Sequence, residues 1–152
     1  MFNESQCQAY LEKWQKILRL KDWDIKLEMV TKEWRKTGDV KIDQVGKAAI
    51  VLLNNNNPYI QNAEAVIIHE LLHIKLYGMD QMIEELLTCV YGEDKDEPKH
   101  AFAYSQFMWL LEMTTEDLTK GYVELGADDK SMPFERIQKD ADNEWEKDAY
   151  NE

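Results

Sequence analysis

The chain contains few cysteines and histidines, and it lacks any segment that would divide it into parts. Its 152 residues include two cysteines and three histidines. Cys7 and Cys89 are far apart and form no CxxC pair, which argues against a disulfide-stabilised scaffold and favours a reducing compartment. No internal repeat or linker is present, and 152 residues are enough for one domain of ordinary size.

Basic residues and long apolar runs are also scarce. The 18 Lys and Arg residues face 30 Asp and Glu residues, which gives a formal net charge of −12. Such a surface repels a phosphate backbone and anionic lipids, so we expect no nucleic-acid partner and no membrane partner. The most apolar run, residues 48–53, is far shorter than the ~20 residues of a membrane-spanning helix. The N-terminal residues lack the apolar segment of a secretory signal, and we expect a cytoplasmic protein.

Hydrophobic residues make up 44% of the chain and aromatic residues 11%, which suffices for a buried core. Hydrophobic periodicity predicts an α+β domain over residues 1–126, with a small, mainly antiparallel sheet and several helices. The predicted helices are 5–20, 62–78, 80–91, 98–113 and 114–126, and the predicted strands are 23–29, 40–42 and 48–53. Gly78 and Gly92 are the predicted ends of the second and third helices.

Residues 127–152 form a polar, acidic tail. Within it, Phe134, Ile137, Ala141 and Trp145 recur at helical spacing. This pattern favours a helix that docks on the domain or binds a protein partner over a disordered tail.

His69-Glu70-Leu71-Leu72-His73 is an HExxH sequence inside a predicted helix. Residues at i and i+4 lie on one helix face, so both imidazoles can reach the same metal ion. Glu70 lies beside that ion, where it can accept a proton from an activated water molecule. Zinc suits these nitrogen and oxygen ligands, and we expect Zn²⁺ as the cofactor. The alternative is a structural helix with one buried and one exposed histidine.

A catalytic zinc site needs a third protein ligand. Glu84 and Glu85 follow HExxH on the next predicted helix, and a tight antiparallel turn at Gly78 would bring one of them to the histidines. We predict Glu85 as the ligand, because it shares a helix face with Met82 and Cys89, whereas Glu84 lies on a more polar face. The alternative is that both are solvated surface charges.

HExxH followed by a glutamate helix resembles the gluzincin group of zinc metallopeptidases. This resemblance implies that residues 1–126 form a minimal zincin-like domain. The segment from Ile83 to Gly92 is similar to the thermolysin-type pattern Ile-Asn-Glu-Ala-Ile-Ser-Asp-Ile-Phe-Gly, and Glu85 aligns with its ligand glutamate. The order of elements is similar to that of the small ImmA/IrrE-type and phage-encoded bacterial metallopeptidases. In such enzymes the strand that precedes the HExxH helix lies at the sheet edge and pairs with substrate, which would be residues 49–53 here; an ordinary core strand is the alternative.

The chain departs from this pattern in two places. Cys89 stands where the pattern has an aspartate that orients a zinc-bound histidine, so Glu64 or a backbone carbonyl would have to replace it. No residue clearly matches the histidine that stabilises the oxyanion, for which His100 and Tyr104 are candidates.

The resemblance implies a hydrolase that cleaves a peptide or protein substrate, with His69, His73 and Glu85 holding zinc and Glu70 as the general base. The alternative is a non-catalytic zinc-binding regulatory or interaction protein on the same scaffold. The two departures and the acidic tail favour that alternative.

Overall fold

The computed structural model describes residues 1–148, with side chains through Trp145, and residues 149–152 of the predicted tail lie outside that range. The fold is α+β, as predicted, with helices and one small sheet. In chain order the elements are α1 (Glu4–Ile17), β1 (Asp24–Val30), β2 (Gly38–Asp43), β3 (Ala48–Asn54), α2 (Ala63–Tyr91), α3 (Pro98–Gly126) and α4 (Glu135–Asp148). No helix in the described range is both long and apolar enough to cross a bilayer.

The sheet is mixed, with the strand order β1-β3-β2. β3 pairs in parallel with β1 and antiparallel with β2, so half of the pairing departs from the expected antiparallel arrangement. β3 lies at the centre, where Val51 and Leu53 are fully buried. Its continuous apolar run therefore marks a core strand, and the expectation that it forms the sheet edge is wrong. The edge next to the HExxH helix is β2, whose residues line the same cleft as His69 and His73.

The first half of α2 is the centre of the core. Nine of its first ten residues, from Ala63 to Leu72, are under 9% exposed, and Ala65 is the exception. The segment is therefore buried around its whole circumference. The sheet and α1, through Cys7, Leu11 and Trp14, cover this segment. A helix that is buried on all sides must satisfy every polar side chain that it carries.

α2 is one helix of 29 residues, so the predicted end near Gly78 is wrong. α3 packs along its length: His73 lies 3.0 Å from Glu112, and the Tyr91 ring lies 6.3 Å from that of His100 near the other end. This packing outweighs the ~1 kcal/mol cost of a glycine inside a helix. α2 ends instead at Gly92, whose φ of +92° suits glycine.

α3 is also a single helix of 29 residues, where we predicted a break at Thr114. The hydroxyl of Thr115 donates to the carbonyl of Leu111 at 2.7 Å, and that of Thr119 donates to the carbonyl of Thr115 at 2.7 Å. Both threonines thus bond back within the helix instead of capping a new one. Because α2 and α3 are joined by residues 92–97 alone, they form a long antiparallel hairpin.

Glu64 joins three parts of the chain in the core. Its fully buried carboxylate accepts hydrogen bonds from the Trp14 indole at 2.7 Å and from Lys13 at 3.0 Å. It also accepts from the backbone N–H groups of Asp128 and Asp129, at 2.8 and 3.0 Å. One buried carboxylate therefore holds α1, α2 and the start of the tail together.

The segment that follows α3 continues along the start of α2. The Asn62 side chain donates to the carbonyls of Asp129 and Ser131 at 3.0 and 3.1 Å. The Tyr59 hydroxyl donates to the carbonyl of Glu135, where α4 begins. The exposed side chains of Phe134, Ile137 and Trp145 are 60–79% accessible, so these apolar positions of the tail do not face the core.

We predict that Glu64→Gln lowers the free energy of unfolding by about 2–4 kcal/mol. The amide of glutamine offers one acceptor oxygen and a donor NH₂ group, and that NH₂ group must face donors that now bond to the carboxylate. Urea denaturation followed by circular dichroism measures the change. Glu93→Gln, at an exposed position, is the matched control. Equal stability of the two variants would show that the Glu64 contacts contribute little.

Candidate metal centre

The two histidines of HExxH face the same point in the structure. His69 and His73 are one turn apart on α2, and their Nε2 atoms lie 3.1 Å from each other. His69 is buried and His73 is partly buried, and both line a cleft between α2, α3 and the edge strand β2. The helical i, i+4 relation therefore produces the convergence that the sequence predicts.

Glu112 of α3 supplies the third group at this point. Its Oε1 lies 3.0 Å from Nε2 of His73, and its Oε2 lies 3.3 Å from Nε2 of His69. Ligand atoms held tetrahedrally at zinc distances lie about 3.3–3.6 Å from one another. The observed separations of 3.0–3.3 Å are close to this spacing, and His69, His73 and Glu112 could hold a metal ion.

A cation at the centre of this cluster would stabilise it, because the nitrogen and oxygen atoms that face each other are acceptors. Nδ1 of His69 lies 2.7 Å from the carboxylate of Glu116, which assigns the proton of a neutral ring to Nδ1. Nε2 of that ring then presents a lone pair to the carboxylate of Glu112 at 3.3 Å, and two acceptors that face each other repel. A metal ion, or a second proton on the ring, removes the repulsion.

The pKa shifts of His69, Glu112 and Glu116 also indicate that positive charge is stabilised at this point. Burial lowers the pKa of His69, but the carboxylates of Glu112 and Glu116 outweigh it and raise that pKa from 6.5 to about 10. Contact with His69 and His73 holds the pKa of Glu112 far below its usual range. Contact with His69 also lowers the pKa of Glu116.

Glu116 lies one turn after Glu112 on α3 and acts on the outer nitrogen of His69. A carboxylate in this position fixes the orientation and tautomer of a ligand imidazole and makes it a better donor to the metal. Glu116 thus provides the orienting group that Cys89 cannot supply. Arg136 of α4 lies 3.5 Å from the other oxygen of Glu116.

Glu70 lies beside the three possible ligands without contacting them. Burial raises the pKa of Glu70 from 4.5 to about 7, against the opposing effect of His69 and His73. The backbone of β2 passes close by: a Cβ atom on Gly38 would lie 3.2 Å from Oε1 of Glu70 and 2.5 Å from Cγ1 of Val66. Glycine at position 38 lets the edge strand approach the side chain of Glu70.

The cleft around these groups has a volume of about 600 Å³, within the range of ligand-binding sites. β2 and the preceding loop form one wall. The C-terminal half of α3 and residues 131–136 form the other, and α2 lies at the base. Ser131, Met132, Pro133 and Arg136, which follow α3 in the chain, also contribute to its lining.

Glu85, the predicted third ligand, does not lie near the histidines. It is exposed on the same continuous helix, 12 positions after His73, which corresponds to about 18 Å along the axis. Glu84 lies on the same part of α2. The prediction assumed a turn at Gly78, and without that turn neither glutamate can return to the site. Glu112 takes the place expected for Glu85.

The remaining candidates lie elsewhere in the structure. Glu64 binds Trp14 and the tail instead of a histidine ring. His100 is buried, with Nδ1 2.9 Å from the carbonyl of Gly92, and neither it nor Tyr104 lines the cleft. Tyr77, one turn after His73, does line it.

The sequence contains a signal that would have found Glu112. In the thermolysin-type pattern, the ligand glutamate is followed four residues later by the orienting aspartate. Glu112 has Glu116 at that spacing, whereas Glu85 has Cys89. Thr114-Thr115-Glu116-Asp117 also resembles a helix cap, however, and a break at that cap would separate the two glutamates.

Comparison of the chain with protein-family models, curated proteins and solved structures found no match.

We predict that Glu112→Ala weakens zinc binding at least about tenfold, because it removes one of three converging ligands. Glu85→Ala is the matched control on α2 and should leave the affinity unchanged. A competition titration with a chromophoric zinc chelator measures both. A larger loss in the Glu85 variant would contradict the observed course of α2.

We predict that Glu116→Gln weakens zinc binding by about 10-fold to 100-fold, since a neutral amide supports the His69 imidazole less well than a carboxylate. Asp117→Asn removes the same charge at the exposed neighbouring position and should have no such effect. The same competition titration compares them, and equal affinities would exclude an orienting role for Glu116.

Proposed function

We propose that the protein is a zinc-dependent peptidase of the gluzincin type. The observation that carries the proposal is the convergence of His69, His73 and Glu112 at one point, with the buried carboxylate of Glu70 beside it. Two histidines and a glutamate are a known ligand set of catalytic zinc sites, which keep a fourth position open for water or substrate. The chain also resembles gluzincins in its HExxH sequence, and Glu112 and Glu116 reproduce the spacing of their glutamate helix.

Zinc is the metal that these donors favour. Imidazole nitrogen suits zinc, and a single carboxylate adds the oxygen ligand that catalytic sites often contain. Magnesium and calcium prefer sites built from oxygen alone, which makes them poor candidates here. When bound, zinc would polarise the scissile carbonyl and activate a water molecule for attack.

Glu70 is the residue that we propose moves the proton. Its burial holds the pKa near 7, which suits a group that accepts a proton from water and then donates it to the leaving amine. The short distance from Gly38 to Glu70 brings the edge strand to the reacting centre, so a substrate chain that follows β2 would pass beside this carboxylate.

β2 is the element that we propose aligns the substrate. Among the described residues it pairs with β3 along one edge, while its residues Gly38, Asp39, Val40 and Ile42 line the cleft. An extended peptide can add to such an edge through backbone hydrogen bonds. From the sequence, this role is expected for the strand at residues 49–53. That strand lies at the centre of the sheet, so we propose the role for the edge strand β2 instead.

The non-catalytic alternative loses part of its support in this structure. One argument for it was the missing carboxylate that orients a histidine, and Glu116 now fills that position. The other argument for the alternative is that no residue has been assigned as the oxyanion donor. The two hypotheses are distinguished by whether the zinc-loaded protein hydrolyses peptides.

We predict that the wild-type protein, with about one zinc ion per chain, hydrolyses members of a broad synthetic peptide library, and that Glu70→Gln abolishes the activity. The glutamine keeps the shape of the side chain but cannot accept the proton. Mass spectrometry of the digests measures hydrolysis, and metal analysis checks that the variant retains its zinc.

Glu93→Gln is the matched control, because it makes the same change at an exposed position outside the cleft and should retain the activity. Full activity in the Glu70 variant would remove Glu70 from the mechanism. A zinc-loaded wild-type protein that cleaves nothing in the library would favour the non-catalytic alternative.

A further inference from the structure

Two of the three arginines in the chain line the cleft. The sequence contains Arg19, Arg35 and Arg136, and the last two lie in opposite walls of the cavity that contains His69 and His73. Lys36 and Lys120 also line it. A chain with a net charge of −12 thus places a large share of its arginine side chains at the site.

Hydrogen bonds place the backbone segments that carry Arg35 and Arg136 at the same end of the cleft. The hydroxyl of Thr37, two residues after Arg35, accepts from the backbone N–H groups of Tyr59 and Ile60, each at 3.0 Å. The hydroxyl of Tyr59 donates to the carbonyl of Glu135, the residue before Arg136. Residues 59–60 therefore hold the loop before β2 and the start of α4 next to each other.

Both guanidinium groups keep donors available. Arg136 contacts Glu116 through a single nitrogen at 3.5 Å, and its side chain is 57% exposed. Arg35 is exposed and makes no ion pair with any residue that the structure describes. Lys36, by contrast, is bound to Asp39 at 3.0 Å. Because a guanidinium carries five N–H donors in a planar fork, two such groups match the geometry of a carboxylate.

The opposite end of the cleft differs in charge. There the lining consists of Tyr77, Asp80 and Met108, with no basic side chain among the described residues. The charge along the cleft therefore runs from positive near Arg35 and Arg136 to negative near Asp80. A peptide that lies along the cleft meets these two environments on either side of the histidines.

We infer that Arg35 and Arg136 form a subsite for a carboxylate of the peptide substrate. This inference rests on the proposed function. The carboxylate belongs either to an Asp or Glu side chain or to the C-terminus of the peptide, since both present the same group to a guanidinium. It binds close to the bond to be cleaved, because Arg136 contacts Glu116, which contacts His69.

Peptide binding tests the subsite without requiring turnover. The probe is a library of fluorescent hexapeptides, acetylated at the N-terminus and amidated at the C-terminus, with Glu, Gln or Lys at one position at a time. A second set carries a free C-terminal carboxylate. Zinc-loaded, full-length Glu70→Gln protein is titrated with each peptide. We expect at least about tenfold tighter binding of a carboxylate peptide than of its neutral counterpart.

The variants Arg35→Gln and Arg136→Gln, each in the same background, should reduce that preference to less than about threefold. Arg19→Gln removes the same charge at an exposed position away from the cleft and should preserve it. Thermal denaturation and zinc content check that the Arg136 variant remains folded and loaded. A preference seen only with free C-termini assigns the subsite to the terminal carboxylate, and one seen with internal Glu assigns it to an acidic side chain.

Two results would overturn the subsite: equal binding of Glu and Gln peptides in both sets, or a preference that survives both cleft variants. Hydrolysis by the wild-type protein is measured separately. Cleavage without any carboxylate preference would reject the subsite alone. A carboxylate preference that depends on the two arginines, in a protein that cleaves nothing, would reject the peptidase and leave the subsite in place.

Discussion

The burial of ionisable side chains on the first half of α2 is the constraint on which the rest of the structure depends. Glu64, His69 and Glu70 lie within two turns of one another, and each is less than 9% exposed. A charged group removed from water is costly unless other groups stabilise it. The chain supplies such groups to two of the three, and those groups determine how its distant parts are arranged.

Glu64 and His69 contact different segments of the chain. Glu64 is satisfied by α1 and by the backbone that follows α3, which brings the C-terminal segment over the start of α2. His69 is satisfied by two carboxylates of α3, which align the end of the long hairpin with HExxH. Glu70 receives no comparable partner, and burial raises its pKa towards neutrality. A carboxylate left in that condition is typical of a catalytic site rather than of a structural one.

The lengths of α2 and α3 determine which side chains meet at the candidate metal centre. α2 continues past Gly78, so α3 returns along it and brings Glu112 to the histidines. The continuation of α3 past Thr114 adds Glu116, which lies beside His69. The cleft that results has one wall from the edge strand β2 and another from α3 and the segment before α4. Residues 131–136, which the sequence places in a tail, are thus part of the cavity.

The sequence by itself determined which residues lie on one helix face and which segments are apolar. The α+β class and the pairing of His69 with His73 follow from periodicity and from the i, i+4 relation, since both depend only on local geometry. The position of Glu70 beside them follows in the same way. Even the relation between Glu112 and Glu116 is local, although the capping pattern around Thr114 concealed it.

Tertiary packing alone decided the third ligand, the edge strand and the role of the tail. The glycine at position 78 and the threonines at 114 and 115 carry signals of about 1 kcal/mol each, which contacts along the whole hairpin outweigh. The order β1-β3-β2 depends on which strand the core covers, and alternation within one strand cannot show that. Glu112 lies 39 positions after His73, and Arg136 lies 101 positions after Arg35. Groups so far apart in the chain meet only where the packing of other elements brings them together, so no local pattern contains that information.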